Sequence, residues 1–271
     1  MQRKIILSVL LCLLSSFAMG QQNIWYWRDG EFYKGESVDS ITFTKPGDNG
    51  HTAVDMGLSV KWAACNVGAS ATWETGDYYA WGETEAKEKY DWYIYKWGTN
   101  ESSITKYCTR EANGTIDNLV RLKGCDDAAR MRMGGAWRMP TKAEMRELLS
   151  GCYWQWTTDY DGHGTAGFIV YKAKDNADKG KIKYPTGHFL DKDVTLAASY
   201  SFDDTHLFLP AAGRKDAQTT RNVNSDLIYW TSSLSENDNQ YSVALYFSRS
   251  DLNMLGWSRA YGSSVRAVLQ E

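Results

Sequence analysis

Residues 134–149 read GGAWRMPTKAEMRELL, and this stretch decides the fold. Pro140 closes whatever precedes it, because its ring removes a backbone donor and fixes φ. Thr141 then stands where a helix N-cap belongs, and Glu144 follows three residues later. Together they spell a capping box: the Thr hydroxyl accepts the N–H of Glu144, and the Glu carboxylate reaches back to the N–H of Thr141. Behind the box, Met145, Leu148, Leu149 and Cys152 recur at i, i+3, i+4 and i+7, so one face of a short helix is apolar. Gly151 suits the exit of that helix. A second short helix is expected over residues 126–133, with Asp126 as its cap.

Around this anchor the chain alternates. Residues 58–64, 168–171, 207–209, 227–230, 242–247 and 264–269 read as short strands. Val243, Leu245 and Phe247 alternate with Ala244 and Tyr246. Trp154 and Trp156 flank Gln155, so they share one sheet face and belong to the core. Upstream, residues 24–34 (IWYWRDGEFYK) place Asp29-Gly30 between aromatic runs, a two-residue hairpin signal. A further strand is expected over residues 38–43. The turn-forming KPGDNG at residues 45–50 marks a linker. The expected organisation is a leader at 1–20, a small β segment and linker at 21–50, and a main α+β domain at 51–271. No internal repeat is present.

The leader is read from Arg3 and Lys4, the apolar run 5–14, and small residues at 18 and 20. That run is too short to span a bilayer. Cys12 lacks the small preceding residue that lipid attachment requires. Export to the periplasm, cell surface or medium is therefore expected. Without residues 1–20 the 30 basic residues fall by two to 28, against 33 acidic, for a net charge of −5. Such a balance argues against nucleic acid and anionic membrane as partners. Cys65, Cys108, Cys125 and Cys152 remain. An exported chain with four cysteines permits two disulfides. Cys125 with Cys152 is the favoured pair, leaving Cys65 with Cys108; the alternative is four buried free thiols. CxxC spacing is absent, and His51, His163, His188 and His206 are scattered, so no metal or cofactor is expected.

These residues together resemble the Fibrobacter succinogenes major paralogous domain, a family abundant in exported proteins of gut Bacteroidota. The resemblance is carried by VDMGLSVKWAACNVGAS from Val54, GDYYAWGET from Gly76, YDWYIYKW from Tyr90 and DDAAR from Asp126. It continues through GGAWRMPTKAEMREL from Gly134, FLPAAG from Phe208, YWTSS from Tyr229 and SVRAV from Ser264. The segments span nearly all of residues 51–271. Upstream, WRDGEF and VDSITF are similar to the short β segment often found before that domain. The WRMPT motif with its capped helix and the late G-x-S-V-R are similar to the C-type lectin-like superfamily in its broad sense. The resemblance implies an antiparallel sheet, two helices and long loops. That fold hosts sugar binders, protein binders and enzymes, so function needs its own argument.

An oxidase of the formylglycine-generating kind within that superfamily needs cysteines late in the chain; here 119 residues follow Cys152 without one. A calcium-dependent lectin needs Glu-Pro-Asn or Gln-Pro-Asp, and neither occurs. Asp159 and Asp161 open a calcium-like loop, but it lacks the third acidic position and the distal Glu, so a hairpin turn is the preferred reading. A carboxylate pair such as Glu83 with Asp203 is singled out by nothing among 33 acids. The functional signal is aromatic instead. Residues 73–97 carry nine Trp and Tyr with no helical period, among Gly, Asp, Glu and Lys. Indole and phenol rings stack on the apolar faces of sugars while nearby acids bond hydroxyls. Trp73, Tyr79, Trp81, Trp92 and Trp97, with Asp77 and Glu83, are the expected ligand platform. The competing reading places most of these rings in the core, Trp81 and Trp92 above all. Trp137, Arg138, Pro140, Thr141, Glu144 and Arg266 are expected to hold the fold. The expected role is a non-catalytic binding module for a glycan or, alternatively, for a protein of the cell envelope.

Overall fold

A computed structural model describes residues 24–28, 31–35, 50–184, 194–248 and 251–269. The leader, the Asp29-Gly30 turn, the strand expected over 38–43 and most of the 45–50 linker lie outside these residues. The chain forms two compact units, Met1–Lys45 and Pro46–Glu271, so the division falls at the turn-forming segment. In the first unit, β1 (Ile24–Arg28) pairs antiparallel with β2 (Glu31–Gly35), with Arg28 opposite Glu31.

The second unit is mixed α+β, mostly antiparallel, with few helices. Strands β3 (Ala53–Val54) and β4 (Lys61–Ala63) open it. Helix α1 (Ala128–Met133), β5 (Trp137–Arg138) and helix α2 (Lys142–Gly151) follow the long loops. The β-rich half runs β6 (Cys152–Thr157), β7 (Gly167–Lys172), β8 (Ile182–Lys183), β9 (His206–Pro210), β10 (Arg214–Asp216) and β11 (Thr219–Arg221). It closes with β12 (Leu227–Leu234), β13 (Tyr241–Ser248), β14 (Asp251–Ser258) and β15 (Val268–Leu269). Three sheets organise the unit, in the orders β3-β4-β15-β5, β8-β6-β7-β9 and β12-β13-β14, and β10 pairs with β11 alone. Among the named strands described, only β6 and β8 pair in parallel. Val268 lies opposite both Trp62 and Arg138, so the last strand seats between β4 and the WRMPT segment. Among the described residues, no helix is long and apolar enough to cross a membrane.

Period-two alternation explains the cores. Trp154 and Trp156 on β6, Phe168 and Val170 on β7, and Leu207 and Leu209 on β9 share one sheet face. They pack with Met145 and Leu148 of α2 and with Trp62, Tyr229 and Phe247. The opposite face carries Tyr153, Ile169, Tyr171 and Phe208, covered by Tyr160, Leu196 and Tyr200. Both faces are buried, so these strands read as near-continuous apolar runs. Strand β12 serves two cores: Leu227 and Tyr229 face α2, while Ile228 and Trp230 meet Trp81, Trp137 and the alanines of α1.

Both helices start on side-chain caps, one of them displaced from its expected position. Thr141 caps α2, and Glu144 completes the reciprocal box. Helix α1 is capped by Asp127, whose carboxylate accepts the Arg130 N–H, and not by Asp126. Asp126 ends a 3₁₀ turn over Gly124–Asp126 and is buried. Gly151 is the last residue of α2, and β6 begins at once. A Cβ there would come within 2.8 Å of Leu58 Cδ2, so a larger residue would require the Leu58 side chain to shift.

Candidate functional site

Residues 73–97 contain one 3₁₀ turn, Trp92–Ile94, and otherwise no helix or extended strand. A long irregular segment leaves backbone groups without ladder partners, and these must be bonded some other way. The rings do this. Trp230 Nε1 donates to the Tyr79 carbonyl and Trp81 Nε1 to that of Thr231, each at 2.7 Å. The Tyr95 hydroxyl donates to the Trp81 carbonyl at 2.6 Å, and Trp97 Nε1 to that of Gly82 at 2.8 Å. Tyr78 and Tyr90 donate to the carbonyls of Ala212 and Tyr78. Burial holds the hydroxyls of Tyr90 and Tyr95 up at about 12, so both stay protonated donors at any ordinary pH.

This corrects part of the expected platform. Tyr79 and Trp81 are fully buried, and their rings are closed to any ligand. Glu83 is 6% exposed. Its carboxylate accepts the Lys96 N–H at 2.8 Å and pairs with Lys87 Nζ at 2.7 Å. It anchors the loop and does not present oxygens to solvent. Asp77 is half-buried and accepts the Tyr79 hydroxyl at 3.3 Å. Gly68, at φ 84°, leaves it room: a Cβ there would come within 2.4 Å of Asp77 Oδ2.

The remaining platform residues fall into separate places. Trp97 is half-buried, with Lys96 Nζ 4.5 Å and Lys106 Nζ 4.4 Å from the centroid of one of its rings. Trp92 is half-buried and packs edge-on against Tyr95. Trp73 lies against the outer face of the β6–β7–β9 sheet, stacked on His163 at 3.6 Å. Between Trp92 and Ile94 the sequence reading missed the most exposed ring. Tyr93 is 84% exposed, and Ile94 beside it is 44% exposed. Their signal was available: a Trp-Tyr-Ile-Tyr run cannot bury four consecutive bulky side chains in one 3₁₀ turn.

Lys96, two residues past the turn, joins a charged cluster that sequence reading also missed. Asp126, 2% exposed, receives Lys106 Nζ at 2.5 Å, the Tyr107 hydroxyl at 2.6 Å and Lys96 Nζ at 3.6 Å. Burial, and then the Asp126 carboxylate, push the Tyr107 hydroxyl far above its ordinary value, which keeps it a donor. Arg259 is fully buried behind these residues. Its guanidinium donates to the Tyr95 hydroxyl and to the carbonyls of Lys106, Tyr107 and Asn239 at 2.8–3.0 Å.

The motif residues hold backbone. Arg266, fully buried, donates to Asn66 Oδ1 and to the carbonyls of Ala63, Ala64 and Phe208. Arg138 forks onto both oxygens of Glu144, at 2.8 and 2.5 Å. Trp137 is in the core, and the Pro140 carbonyl accepts the Ser232 N–H at 2.7 Å. Asp159 turns inward to accept the Gly164 N–H at 2.6 Å, within the loop that joins β6 to β7. The four described cysteines are free, against the favoured Cys125–Cys152 and Cys65–Cys108 pairing. Nor are they all buried: Cys108 and Cys152 are, Cys65 is half-buried and Cys125 is exposed.

A shallow concavity of about 290 Å³ lies elsewhere, between α2 and the end of β7, lined by Leu58, Glu147, Gly151, Lys172 and Lys179 among others. None of the expected ligand residues reaches it. No family model, curated protein or solved structure matches this chain.

Proposed function

We propose that this chain is an exported, non-catalytic binding module of C-type lectin-like architecture, and that it holds glycans on the aromatic turn Trp92–Ile94. The supporting observation is the exposure of Tyr93 on a turn flanked by two buried, hydrogen-bonded tyrosines. Tyr90 and Tyr95 are buried and bonded on either side of it, so its ring stands on a rigid base. A ring offered this way loses little entropy when a sugar stacks on it. The buried carboxylates Glu83, Asp126 and Asp178 are each bonded by amide, hydroxyl or ammonium donors, which supports the non-catalytic reading. The basic, apolar, small-residue leader supports export. The ordered motifs of residues 54–268 support membership of the major paralogous domain family.

The apolar neighbour Ile94 favours a second reading, in which the same turn docks a protein of the cell envelope. A glycan array probed with the chain from Gln21 onward separates the two. Binding to at least one plant, host or microbial glycan is expected. Tyr93→Ala should weaken that binding about tenfold while leaving the near-ultraviolet circular dichroism unchanged. Silence across all three glycan classes rejects the glycan reading.

A further inference from the structure

We propose that the outer edge of β14 is where two copies of this chain associate, pairing antiparallel about a two-fold axis at Met254. The other edge of that sheet is closed by loops. On β12, Trp230 N–H donates to the Ser264 carbonyl, Ser232 N–H to that of Pro140 and Leu234 N–H to that of Val120. Strand β14 runs eight residues without proline or bulge and is paired on one side alone. The ladder shows which groups point outward. Tyr241 turns its N–H and carbonyl toward the β12 side, to Asp238 and Ser235, so Tyr241 and Ser258 face each other without exchanging bonds. Alternation then assigns the bonds to β13 to Asn253, Leu255 and Trp257, and turns Leu252, Met254, Gly256 and Ser258 outward. Two of these are answered locally. Met254 N–H donates to Asn253 Oδ1 at 2.7 Å, and the Ser258 carbonyl accepts the Tyr261 N–H at 3.1 Å. Among the described residues nothing bonds the N–H and carbonyl of Leu252 and Gly256, or the carbonyl of Met254.

An open run of this kind accepts a further strand, and its register suits a second copy. Centred on Met254, an antiparallel mate sets Met254 opposite Met254 and Leu252 opposite the partner's Gly256. Every outward donor and acceptor from 252 to 256 then meets its complement, once Asn253 releases the Met254 N–H. Charge agrees with this. Residues 252–258 (LNMLGWS) carry none, so two copies of a chain of net charge −5 from Gln21 onward can meet along a neutral strip. The side chains agree too. Leu252 and Met254 lie on one face, Leu255 and Trp257 on the other, and all four are only half-buried, which leaves apolar surface on both faces for a mate to cover. Leu255 joins none of the buried clusters. The mate lays its own Asn253 opposite Leu255. A strip eight residues long, about 27 Å, buries on the order of 1,000 Å² in all, the small end of specific interfaces. The dimer is therefore weak, with a Kd on the order of 10 μM.

Sedimentation of the chain from Gln21 onward, over about 1 to 200 μM, tests this. The mass should rise from that of one copy to that of two. Leu255→Lys sets an ammonium on each side of the axis and should weaken the dimer about tenfold or more, with the near-ultraviolet circular dichroism of the parent. Val120→Lys, at an exposed apolar residue beside β12, should dimerise as the parent does. Register is read by mixing Asn253→Cys with Leu255→Cys. Facing Cβ atoms lie about 4.5–5.5 Å apart and diagonal ones about 7–8 Å, so mild oxidation should link the mixture faster than either variant alone. The native thiols are common to all three samples. A chain that stays a single copy throughout overturns the proposal and leaves the edge to a strand of another protein. A dimer untouched by Leu255→Lys, or linkage no faster in the mixture, overturns it as well.

Discussion

Two arginines, buried without an ion-pair partner among the described residues, show how single side chains hold this loop-rich unit. A guanidinium has five N–H donors in a rigid fork, and Arg259 uses them on four acceptors drawn from three separate stretches of chain. An ammonium in its place keeps the charge but cannot reach all four. Arg259→Lys should therefore leave buried carbonyls unbonded and cost about 3 kcal/mol in urea unfolding. Arg132→Lys, at an exposed pair with Glu85, should change stability by less than about 0.5 kcal/mol. Arg266 was legible because it lies in a recognisable motif. Arg259 was not: its acceptors are 20 to 164 positions away in sequence, and no periodicity encodes such a bond. The same reason hid the Asp126 cluster, since Lys96 and Lys106 reach it from other loops.

At the scale of elements, legibility follows locality. The α2 cap is written in four consecutive residues and forms as written. Strands β7, β9 and β13 are compact apolar runs, and their bounds lie within a residue or two of those expected. Strand β14 (DLNMLGWS) was missed because polar residues interrupt its alternation. Only the β13 pairing, with Tyr241 opposite Ser258 through Ser248 opposite Asp251, fixes it as a strand. Helix α1 was found but its cap was placed one residue early, because two adjacent aspartates compete and only tertiary contacts decide between them. The α2 box also sets a pH dependence. Burial alone would raise the Glu144 carboxyl, but the Arg138 fork and the Thr141 N–H outweigh it and bring the pKa from 4.5 to about 2. A carboxylate depressed on folding stabilises the native state above its unfolded pKa, and that stability is lost as pH falls through the folded value. Glu144→Gln keeps the capping geometry and removes the charge. It should cost about 1–2 kcal/mol at pH 7 after allowance for solvent screening, and the difference from the parent should fade between pH 4.5 and 2. Urea unfolding at pH 7, 4 and 2.5 measures it.

For the whole molecule the question is what replaces cross-links in a chain expected outside the cell. Loop-rich exported domains commonly draw 2–4 kcal/mol from each disulfide. Here the long loops are fastened from within, by indole and phenol donors on carbonyls and by the two buried arginines. The thiols sit where that design leaves them. Cys152 lies under the α2–β6 junction, and burial holds its pKa up at about 12, so it is neither nucleophilic nor readily oxidised. Cys108 is fully buried and donates to the Arg110 carbonyl. Ellman titration of the folded chain from Gln21 should therefore find one fast thiol, Cys125, and a slower one, Cys65; all four should react in 6 M guanidinium. Adding a reductant should leave the urea midpoint unchanged. Were Cys125 and Cys152 joined, reduction would open a loop of about 28 residues and cost roughly 3 kcal/mol, which such a midpoint would register at once. A large shift would mean that covalent closure, and not the aromatic donors, orders the segment around α1.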